Sequence, residues 1–203
     1  MSTIVIVDYG MGNLRSVSKA LEHLGARVDI TSDPLRIARA DKLVLPGVGA
    51  FGDAADGLRR SGLMDPLRTH LDSGRPFLGI CLGLQLLFES SEESPGSKGV
   101  GKYAGAVRAF RSTTVKVPHM GWNQMKLAHR HPFLKGLPED SYFYFVHSYF
   151  AAPASADVMA GSCSYGGETF AAAVGEGPVL ATQFHPEKSQ KAGLLILKNF
   201  VAG

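Results

Sequence analysis

A cysteine between two glycines is the first feature of this sequence that could do covalent chemistry. Residues 79–83 read Gly-Ile-Cys-Leu-Gly, between an apolar run and the apolar residues 84–88. This pattern predicts a buried strand that turns sharply into a buried helix through residue 88, an elbow that exposes a nucleophile at the edge of a sheet. Glycines leave room for the turn, and the helix N-terminus favours a thiolate. We predict that Cys81 is the nucleophile.

A histidine and a glutamate near the C-terminus could activate that thiol. The apolar residues 179–184 predict a strand, and His185, Pro186 and Glu187 follow it. Residues i and i+2 of an extended chain point to the same side, so the imidazole and the carboxylate can lie together. A nucleophile, a base and a group that orients the base make a catalytic triad. The alternatives are an inert core thiol and a surface His and Glu at a strand end.

Two segments of the chain resemble a known family. Residues 79–85, Gly-Ile-Cys-Leu-Gly-Leu-Gln, and residues 183–187, Gln-Phe-His-Pro-Glu, resemble the class I (triad) glutamine amidotransferases. The resemblance implies that Cys81, His185 and Glu187 hydrolyse glutamine through a cysteine thioester, without a cofactor or a metal. It also implies that the ammonia passes to a synthase.

A glycine-rich loop at residues 47–52 could stabilise the oxyanion of this reaction. Thioester chemistry needs hydrogen-bond donors aimed at the developing negative charge, and bare backbone N–H groups can supply them. The resemblance implies one donor from this loop, at Val48 or Gly49, and a second from the amide of Leu82. The alternative is a tight turn between a strand and a helix.

Other residues are expected to bind glutamine. Gln85 lies one helical turn after the nucleophile, so its amide can reach the same pocket. The resemblance implies that Glu93 pairs with the glutamine ammonium group and that His147, Ser148 and Tyr149 grip its α-carboxylate. Gln85 could equally cap a buried polar group, and Glu93 could be an ordinary surface charge.

The elements that must position these residues change character along the chain. In the first half, apolar strands alternate with amphipathic helices, which predicts a doubly wound, mostly parallel central sheet flanked by helices. From residue 99 onward, short alternating segments predict an additional antiparallel β portion in the C-terminal half. These predicted strands are residues 107–111, 114–117, 141–150, 157–160 and 169–174. We find no linker and therefore expect residues 1–203 to form one α/β domain closed by a helix at residues 188–201.

The composition excludes several classes of protein. The hydrophobic fraction of 45% and the charged fraction of 19% are those of an ordinary globule. The net charge of +3 is small, and no run of five Lys or Arg occurs, so we expect no nucleic-acid partner. The glycines of residues 8–13 lack the third glycine of a dinucleotide fingerprint. Cys81 and Cys163 make neither a disulfide framework nor a metal site, and we interpret Cys163, in the turn-like residues 161–167, as structural.

The sequence also bears on localisation. Residues 1–8 carry no basic segment, and their apolar run is too short for a signal peptide. No stretch approaches the roughly 20 apolar residues that span a bilayer. We expect a cytoplasmic protein without a membrane partner, since a reducing compartment suits a reactive thiol.

Four segments point to one branch of the family. Residues 8–17, 46–51, 118–123 and 145–149 resemble the glutaminase subunits of imidazole glycerol phosphate synthases. The resemblance implies a heterodimer with a cyclase subunit, a (β/α)8 barrel that uses the ammonia in histidine synthesis. Aromatic and Met residues in or near these segments are of types enriched at interfaces, although single aromatics are as common in cores. The predicted interface residues are Tyr9, Met11, Asn13, His119, Met120, Trp122 and Tyr142.

Rival interpretations remain open from the sequence. A cysteine peptidase or another stand-alone hydrolase could use the same elbow without a partner. A binding module with a relic site is disfavoured by the complete triad and by Gln85. Within the amidotransferases, the glutaminase subunit of another ammonia-using synthase is the nearest alternative.

Overall fold

The computed structural model of the chain describes residues 3–203 and has a central sheet of eight strands. Met1 and Ser2 lie outside the described residues. They begin residues 1–8, in which no signal peptide is expected. The strands are β1 (Thr3–Val7), β2 (Arg27–Thr31), β3 (Lys42–Gly47), β4 (Phe77–Cys81), β5 (Phe88–Ser91), β6 (Tyr103–Ala109), β7 (His119–Gln124), β8 (Lys126–Leu127), β9 (Tyr142–His147), β10 (Tyr149–Pro153), β11 (Met159–Tyr165), β12 (Glu168–Glu176) and β13 (Val179–Thr182).

The central sheet is parallel in one half and antiparallel in the other. Its spatial order is β2-β1-β3-β4-β13-β12-β11-β8, and all neighbours from β2 to β13 pair in parallel. Strands β12, β11 and β8 continue the sheet in antiparallel pairs. Two smaller sheets, β10-β6-β5 and β7-β9, lie outside it. The predicted α/β fold with an added antiparallel portion is confirmed.

Helices cover the parallel strands and bury both faces of the sheet. On β3, Val44 belongs to one cluster of buried apolar side chains, whereas Leu43 and Leu45 belong to another, as the alternation of a strand requires. No helix within residues 3–203 is long and apolar enough to cross a lipid bilayer. The helices are α1 (Leu14–His23), α2 (Pro34–Ala38), α3 (Phe51–Arg60), α4 (Met64–Asp72), α5 (Leu82–Gln85) and α6 (Gln190–Ala202).

The order of the central strands decides where a site can form. Strands β3, β4 and β13 are direct neighbours and parallel, so their carboxyl ends share one edge of the sheet. Ligand sites of open α/β sheets lie at that edge. The edge receives the loop after Gly47, the residue Cys81 and the segment that follows Thr182.

The helix predicted through residue 88 is wrong beyond Gln85. The helix α5 has only four residues, and Phe88 begins strand β5, where it pairs with Tyr103. The carbonyl of Leu86 accepts from the N–H of Val100 and not from a next helical turn. A fully buried apolar run has no polar face, so its periodicity cannot distinguish a helix from a strand.

Three predictions for the second half also need correction. Residues 114–117 form bends and not a strand, and Val117 is exposed. The single strand predicted at residues 141–150 is two strands, since β9 pairs with β7 and β10 pairs with β6, with Ser148 at the break. Cys163 lies within strand β11 and not in a turn.

Candidate active site

The nucleophile elbow predicted from the two glycines is present. Cys81 ends β4 with φ of 56° and ψ of −109°, a left-handed conformation that is rare for a residue with a side chain, and Leu82 starts α5 directly. A Cβ on Gly83 would overlap the carbonyl oxygen of Leu45, and a Cβ on Gly79 would lie 2.8 Å from that of Ala181. The turn therefore requires glycine on both sides of the cysteine.

His185 and Glu187 form a buried hydrogen-bonded pair. His185 Nδ1 lies 2.8 Å from Glu187 Oε1, and the two side chains are 3% and 1% exposed. Burial lowers the pKa of His185, but contacts with Cys81 and Glu187 more than offset this and raise it to about 9. His185 is therefore an imidazolium at neutral pH. Its Nδ1–H donates to the carboxylate, which leaves the Nε2 proton for another acceptor.

The segment around His185 is held from two sides. The His185 N–H donates to the carbonyl of Tyr144 on β9, at 3.0 Å. Ser189 Oγ donates to the carbonyl of His185 at 2.7 Å and accepts from the N–H of Tyr144. The extended chain predicted from His185 to Glu187 is wrong, because a 3-10 turn, Pro186–Lys188, brings the carboxylate to the imidazole.

A cavity of about 200 Å³ collects the predicted residues at the edge of the sheet. The catalytic, oxyanion and substrate-binding candidates all line it except Glu187, which lies on the far side of His185 from Nε2. Larger cavities exist, but one of about 680 Å³, lined by residues between 127 and 139, contains no cysteine. The lining of the site cavity is Val48, Gly49, Cys81, Leu82, Gln85, Glu93, Val146, His147, Ser148, Tyr149 and His185.

The glycine-rich loop lies on one wall of this cavity. Gly49 has φ of +96°, which a residue with a side chain adopts only under strain. Tyr9 holds the end of β3, just before this loop, since its hydroxyl donates to the carbonyl of Pro46 at 3.1 Å. Leu82 is the first residue of α5, so its N–H has no partner within the helix. The loop and the start of α5 thus offer backbone donors from two directions.

Hydrogen bonds tie the substrate-binding candidates to the fold. Gln85 Nε2 donates to the carbonyl of Tyr149 at 2.9 Å and to Gln183 Oε1 at 3.0 Å. Glu93 Oε2 accepts from the N–H of Phe51, at the start of α3, at 2.7 Å. The carboxylate is therefore fixed at the wall of the cavity by a helix N-terminus.

Sequence reasoning missed one polar residue at this site. Gln183 is fully buried, and its Nε2 approaches Cys81 Sγ at 3.8 Å. Its position at the start of the Gln-Phe-His-Pro-Glu segment, two residues before His185, could have indicated a place in the site. A buried glutamine must satisfy its amide, and here it connects Gln85 to the nucleophile.

Of the seven predicted interface residues, two are buried and three are exposed. Tyr9 is 7% exposed and His119 is 3% exposed, so each offers little surface to a partner. Met120, Trp122 and Tyr142 are exposed on the outer surface of the β7-β9 ladder. With Tyr144, which pairs with Trp122, these three side chains form a surface that we call the aromatic face. The remaining two candidates, Met11 and Asn13, are half-buried, and the Asn13 side chain caps α1.

The second cysteine takes no part in this arrangement. Cys163 is buried, and burial raises the pKa of its thiol to about 12, so it stays protonated at neutral pH. Among residues 3–203 no group of three His, Cys, Asp or Glu side chains is placed to hold a metal ion. The cavity and its wall present the Cys81 thiol, the charged imidazole of His185 and the carboxylate that pairs with it.

Comparison with known proteins connects this geometry to one family. The family model described as glutamine amidotransferase class-I matches residues 5–203. The imidazole glycerol phosphate synthase subunit HisH of Syntrophotalea carbinolica is 53% identical over 97% of this chain and 98% of that protein. The subunit of the same name from Methanosarcina barkeri is 49% identical over 99% of this chain and 98% of that protein.

Solved structures share the fold at low sequence identity. A structure of PurLQS from Thermotoga maritima superposes with a TM-score of 0.78 at 18% identity, covering 100% of this chain and 99% of that one. The glutaminase domain of Trypanosoma brucei CTPS, with bound acivicin, superposes with a TM-score of 0.71 at 18% identity, covering 100% and 94%. The architecture therefore persists where most of the sequence differs.

Proposed function

This chain belongs to the class-I glutamine amidotransferase family, in its branch of HisH subunits of imidazole glycerol phosphate synthase, and on that premise we propose that Cys81, His185 and Glu187 are its catalytic triad. The observation that carries the proposal is the buried His185 and Glu187 pair beside a cysteine on a strained elbow. The reaction is hydrolysis of glutamine to glutamate and ammonia, with the ammonia used in histidine biosynthesis.

The first half of the reaction forms a thioester. The Cys81 thiolate attacks the side-chain amide carbon of glutamine, so a C–S bond forms and the carbonyl oxygen becomes an oxyanion. The N–H groups of Leu82 and of Val48 or Gly49 hold that oxyanion. His185, charged at neutral pH, gives its Nε2 proton to the amide nitrogen as the C–N bond breaks, and ammonia leaves.

The second half returns the enzyme to its starting state. Neutral His185 removes a proton from water, and the resulting hydroxide attacks the thioester carbon. The C–S bond breaks, glutamate leaves and the thiolate is restored beside an imidazolium. Glu187 keeps His185 in the tautomer that presents Nε2 to the reacting atoms.

The rest of the cavity wall binds the amino-acid part of glutamine. Glu93 offers a carboxylate to the ammonium group, and the segment of His147, Ser148 and Tyr149 receives the α-carboxylate. Gln85 braces that segment through its bond to the carbonyl of Tyr149. All five residues line the cavity that contains Cys81, which supports these roles.

The partner is a cyclase subunit with a (β/α)8 barrel, joined in a heterodimer. The aromatic face supports this part of the proposal, because large apolar side chains exposed together mark interaction sites. Val146, on the same strand as Tyr142, lines the glutamine cavity, so a partner on this face lies next to the source of ammonia. The cyclase forms imidazole glycerol phosphate and an aminoimidazole carboxamide ribotide.

We further propose that residues 1–203 act as one domain in the cytoplasm. Helix α6, at the end of the chain, packs against α1, near its start, and a reducing compartment keeps the Cys81 sulfur from forming a disulfide. The proposed chemistry involves protein side chains and water alone.

The test is glutamate release from glutamine, measured with and without the cyclase subunit and its ribonucleotide substrate. We expect release to depend on Cys81 and to rise with the cyclase, since each misplaced oxyanion donor costs roughly 100- to 1000-fold. Cys81→Ala should abolish glutamine-dependent synthesis in the complex and spare synthesis supplied with ammonia. Release that Cys81→Ala retains would refute the triad, and release indifferent to the cyclase would refute the partner.

A further inference from the structure

Two histidines face each other beneath the aromatic face. His119 on β7 and His147 on β9 are directly opposite in the ladder, with His119 Nδ1 3.0 Å from His147 Nε2. They are 3% and 7% exposed. Nothing in the proposed mechanism uses His119, although a buried polar pair is retained only where its hydrogen bonds are complete.

The donor and the acceptor nitrogen of each ring in this pair can be assigned from the hydrogen bonds. His147 Nδ1 lies 2.9 Å from the carbonyl of Tyr149, and a carbonyl only accepts, so this nitrogen carries the proton. Burial lowers the pKa of His147 to about 3 and that of His119 to about 4, so both rings are neutral at pH 7. The Nε2 of His147 is then an acceptor, and the Nδ1–H of His119 donates to it.

The outer end of the chain of bonds is anchored as well. His119 Nε2 accepts from the side-chain amide of Asn123 at 3.2 Å, and the same amide nitrogen donates to the carbonyl of Ser164 at 3.0 Å. The amide oxygen of Asn123 accepts from the N–H of Gln124. This fixes which way the Asn123 amide points, and therefore which nitrogen of His119 carries the proton.

The inner end of the chain of bonds is the glutamine cavity. The Tyr149 carbonyl that accepts from His147 also accepts from Gln85 Nε2 at 2.9 Å. Gln85 in turn donates to Gln183, whose Nε2 approaches Cys81 Sγ. A continuous series of hydrogen bonds thus runs from strand β7 to the nucleophile.

Packing prevents the His119 ring from turning. It stacks on Tyr165 with ring centroids 4.0 Å apart and on Phe145 with centroids 4.9 Å apart, at interplanar angles of 27° and 25°. The ring is therefore held on both faces while its two nitrogens point along the chain of bonds. Met120, the next residue of β7, lies on the aromatic face.

We propose that His119 is a positioning residue for glutamine binding, whose Nδ1–H holds His147 and, through it, the Tyr149 carbonyl at the wall of the cavity. The inference rests on the proposed function of that cavity. Loss of the donor leaves His147 Nε2 buried without a partner, and the segment of residues 147–149 then shifts to find one. The substrate site is affected, whereas the triad keeps its own hydrogen bonds.

Two substitutions separate the donor from the ring. His119→Phe keeps the stacking on Tyr165 and Phe145 but has no donor. His119→Asn loses the ring but keeps an amide nitrogen three bonds from Cα, where Nδ1 stands. His131→Phe is the matched control, since His131 is a buried imidazole that bridges two backbone groups, Val179 O and Phe133 N, outside the glutamine cavity.

The experiment is steady-state glutaminase kinetics of the complex with the cyclase subunit, together with the melting temperature of each variant. We expect His119→Phe to raise KM for glutamine about 10-fold, which corresponds to about 1.4 kcal/mol, and to change kcat less than about 2-fold. His119→Asn should melt lower but stay within about 3-fold of the wild-type KM, because about 0.6 kcal/mol is the scale of a repositioned hydrogen bond. His131→Phe should melt lower with an unchanged KM.

Alkylation of Cys81 gives a second readout. A diazoketone analogue of glutamine must occupy the cavity, whereas iodoacetamide needs only the thiolate. His119→Phe should slow the first reaction about 10-fold at subsaturating analogue and leave the second unchanged, in line with the shift in KM. If His119→Phe does not fold, His119→Leu, which also lacks the donor, replaces it.

The outcomes are distinguishable. A wild-type complex without glutaminase activity would overturn the proposed function itself. An active wild type with the same KM in His119→Phe would overturn only the positioning role. An equal rise of KM in the Phe and Asn variants would also overturn it, since the ring and not the donor would then matter.

Discussion

Replacing Cys81 by alanine should flatten the dependence of folding stability on pH. In the folded protein the pKa of His185 is about 9, against an ordinary value of 6.5. Below pH 6.5 both the folded and the unfolded chain bind this proton. As pH rises, the unfolded chain releases the proton first, and the folded chain keeps it until about pH 9. The stabilisation is therefore complete below pH 6.5 and is lost on going to pH 9.

The size of the effect follows from this shift. Each pKa unit corresponds to about 1.36 kcal/mol, so His185 should lower the free energy of unfolding by about 2 kcal/mol between pH 6.5 and 8.5. Burial opposes the raised pKa, and Cys81 is the larger of the two partners that raise it, ahead of Glu187. Alanine at position 81 should remove a part of this loss on the order of 1 kcal/mol.

Urea denaturation followed by circular dichroism, at pH 6.5, 7.5 and 8.5, measures this dependence. Cys163→Ala is the matched control, since its thiol is also buried but stays protonated throughout this range. It should lower stability by about 1 kcal/mol at every pH and keep the wild-type slope. A wild-type slope in Cys81→Ala would refute the reasoning that the cysteine keeps His185 charged.

Two further predictions concern acid stability and the elbow. Burial lowers the pKa of His70 and His119 to about 4 and that of His147 to about 3, so these rings bind protons in the unfolded chain first as pH falls below 6.5. The free energy of unfolding, from denaturant titrations, should fall by at least about 3 kcal/mol between pH 6.5 and 4, and a flat profile would contradict this burial. Gly83→Ala should cost about 3 kcal/mol or more and reduce kcat, because its Cβ overlaps the Leu45 carbonyl; wild-type melting temperature and kcat would show that the elbow has room.

The candidate catalytic residues could be selected from the sequence because each is marked by its near neighbours. Glycines two positions before and after Cys81 leave room for the close contacts of a tight strand-to-helix turn, and His185 and Glu187 lie on either side of a proline. Short-range patterns of this kind can be recognised without knowledge of the fold. The 3-10 turn that joins His185 to Glu187 could not be predicted, because the extended alternative brings the same side chains together.

Burial was harder to predict than residue role. His119 and Trp122 stand on the same strand and are both of types that occur in interfaces and in cores. The two side chains differ in burial because strand alternation points them to opposite faces. Which face is buried is decided by pairing with β9, more than twenty positions away in the chain. Tyr9 is buried because α3 and the strand before the glycine-rich loop pack over it.

The division of residues 141–150 into two strands has the same origin. The segment is rich in aromatic residues on both sides of the polar pair His147 and Ser148, and a polar pair alone does not distinguish a break from a continuous strand. The break exists because β9 and β10 find partners in different sheets. Long-range pairing, which the local pattern does not encode, placed the substrate-binding residues at the junction.

The pairing of β4 with β13 has a consequence for the nascent chain during translation. Gln183 touches Cys81 across 102 positions of sequence, and the base follows two residues later. Translation proceeds from the N-terminus, so a nascent chain that ends before β13 contains Cys81 but does not yet contain His185. On the proposed mechanism, unfinished copies cannot release ammonia, and the chain can react only after the segment containing His185 has emerged and β13 has been added to the sheet.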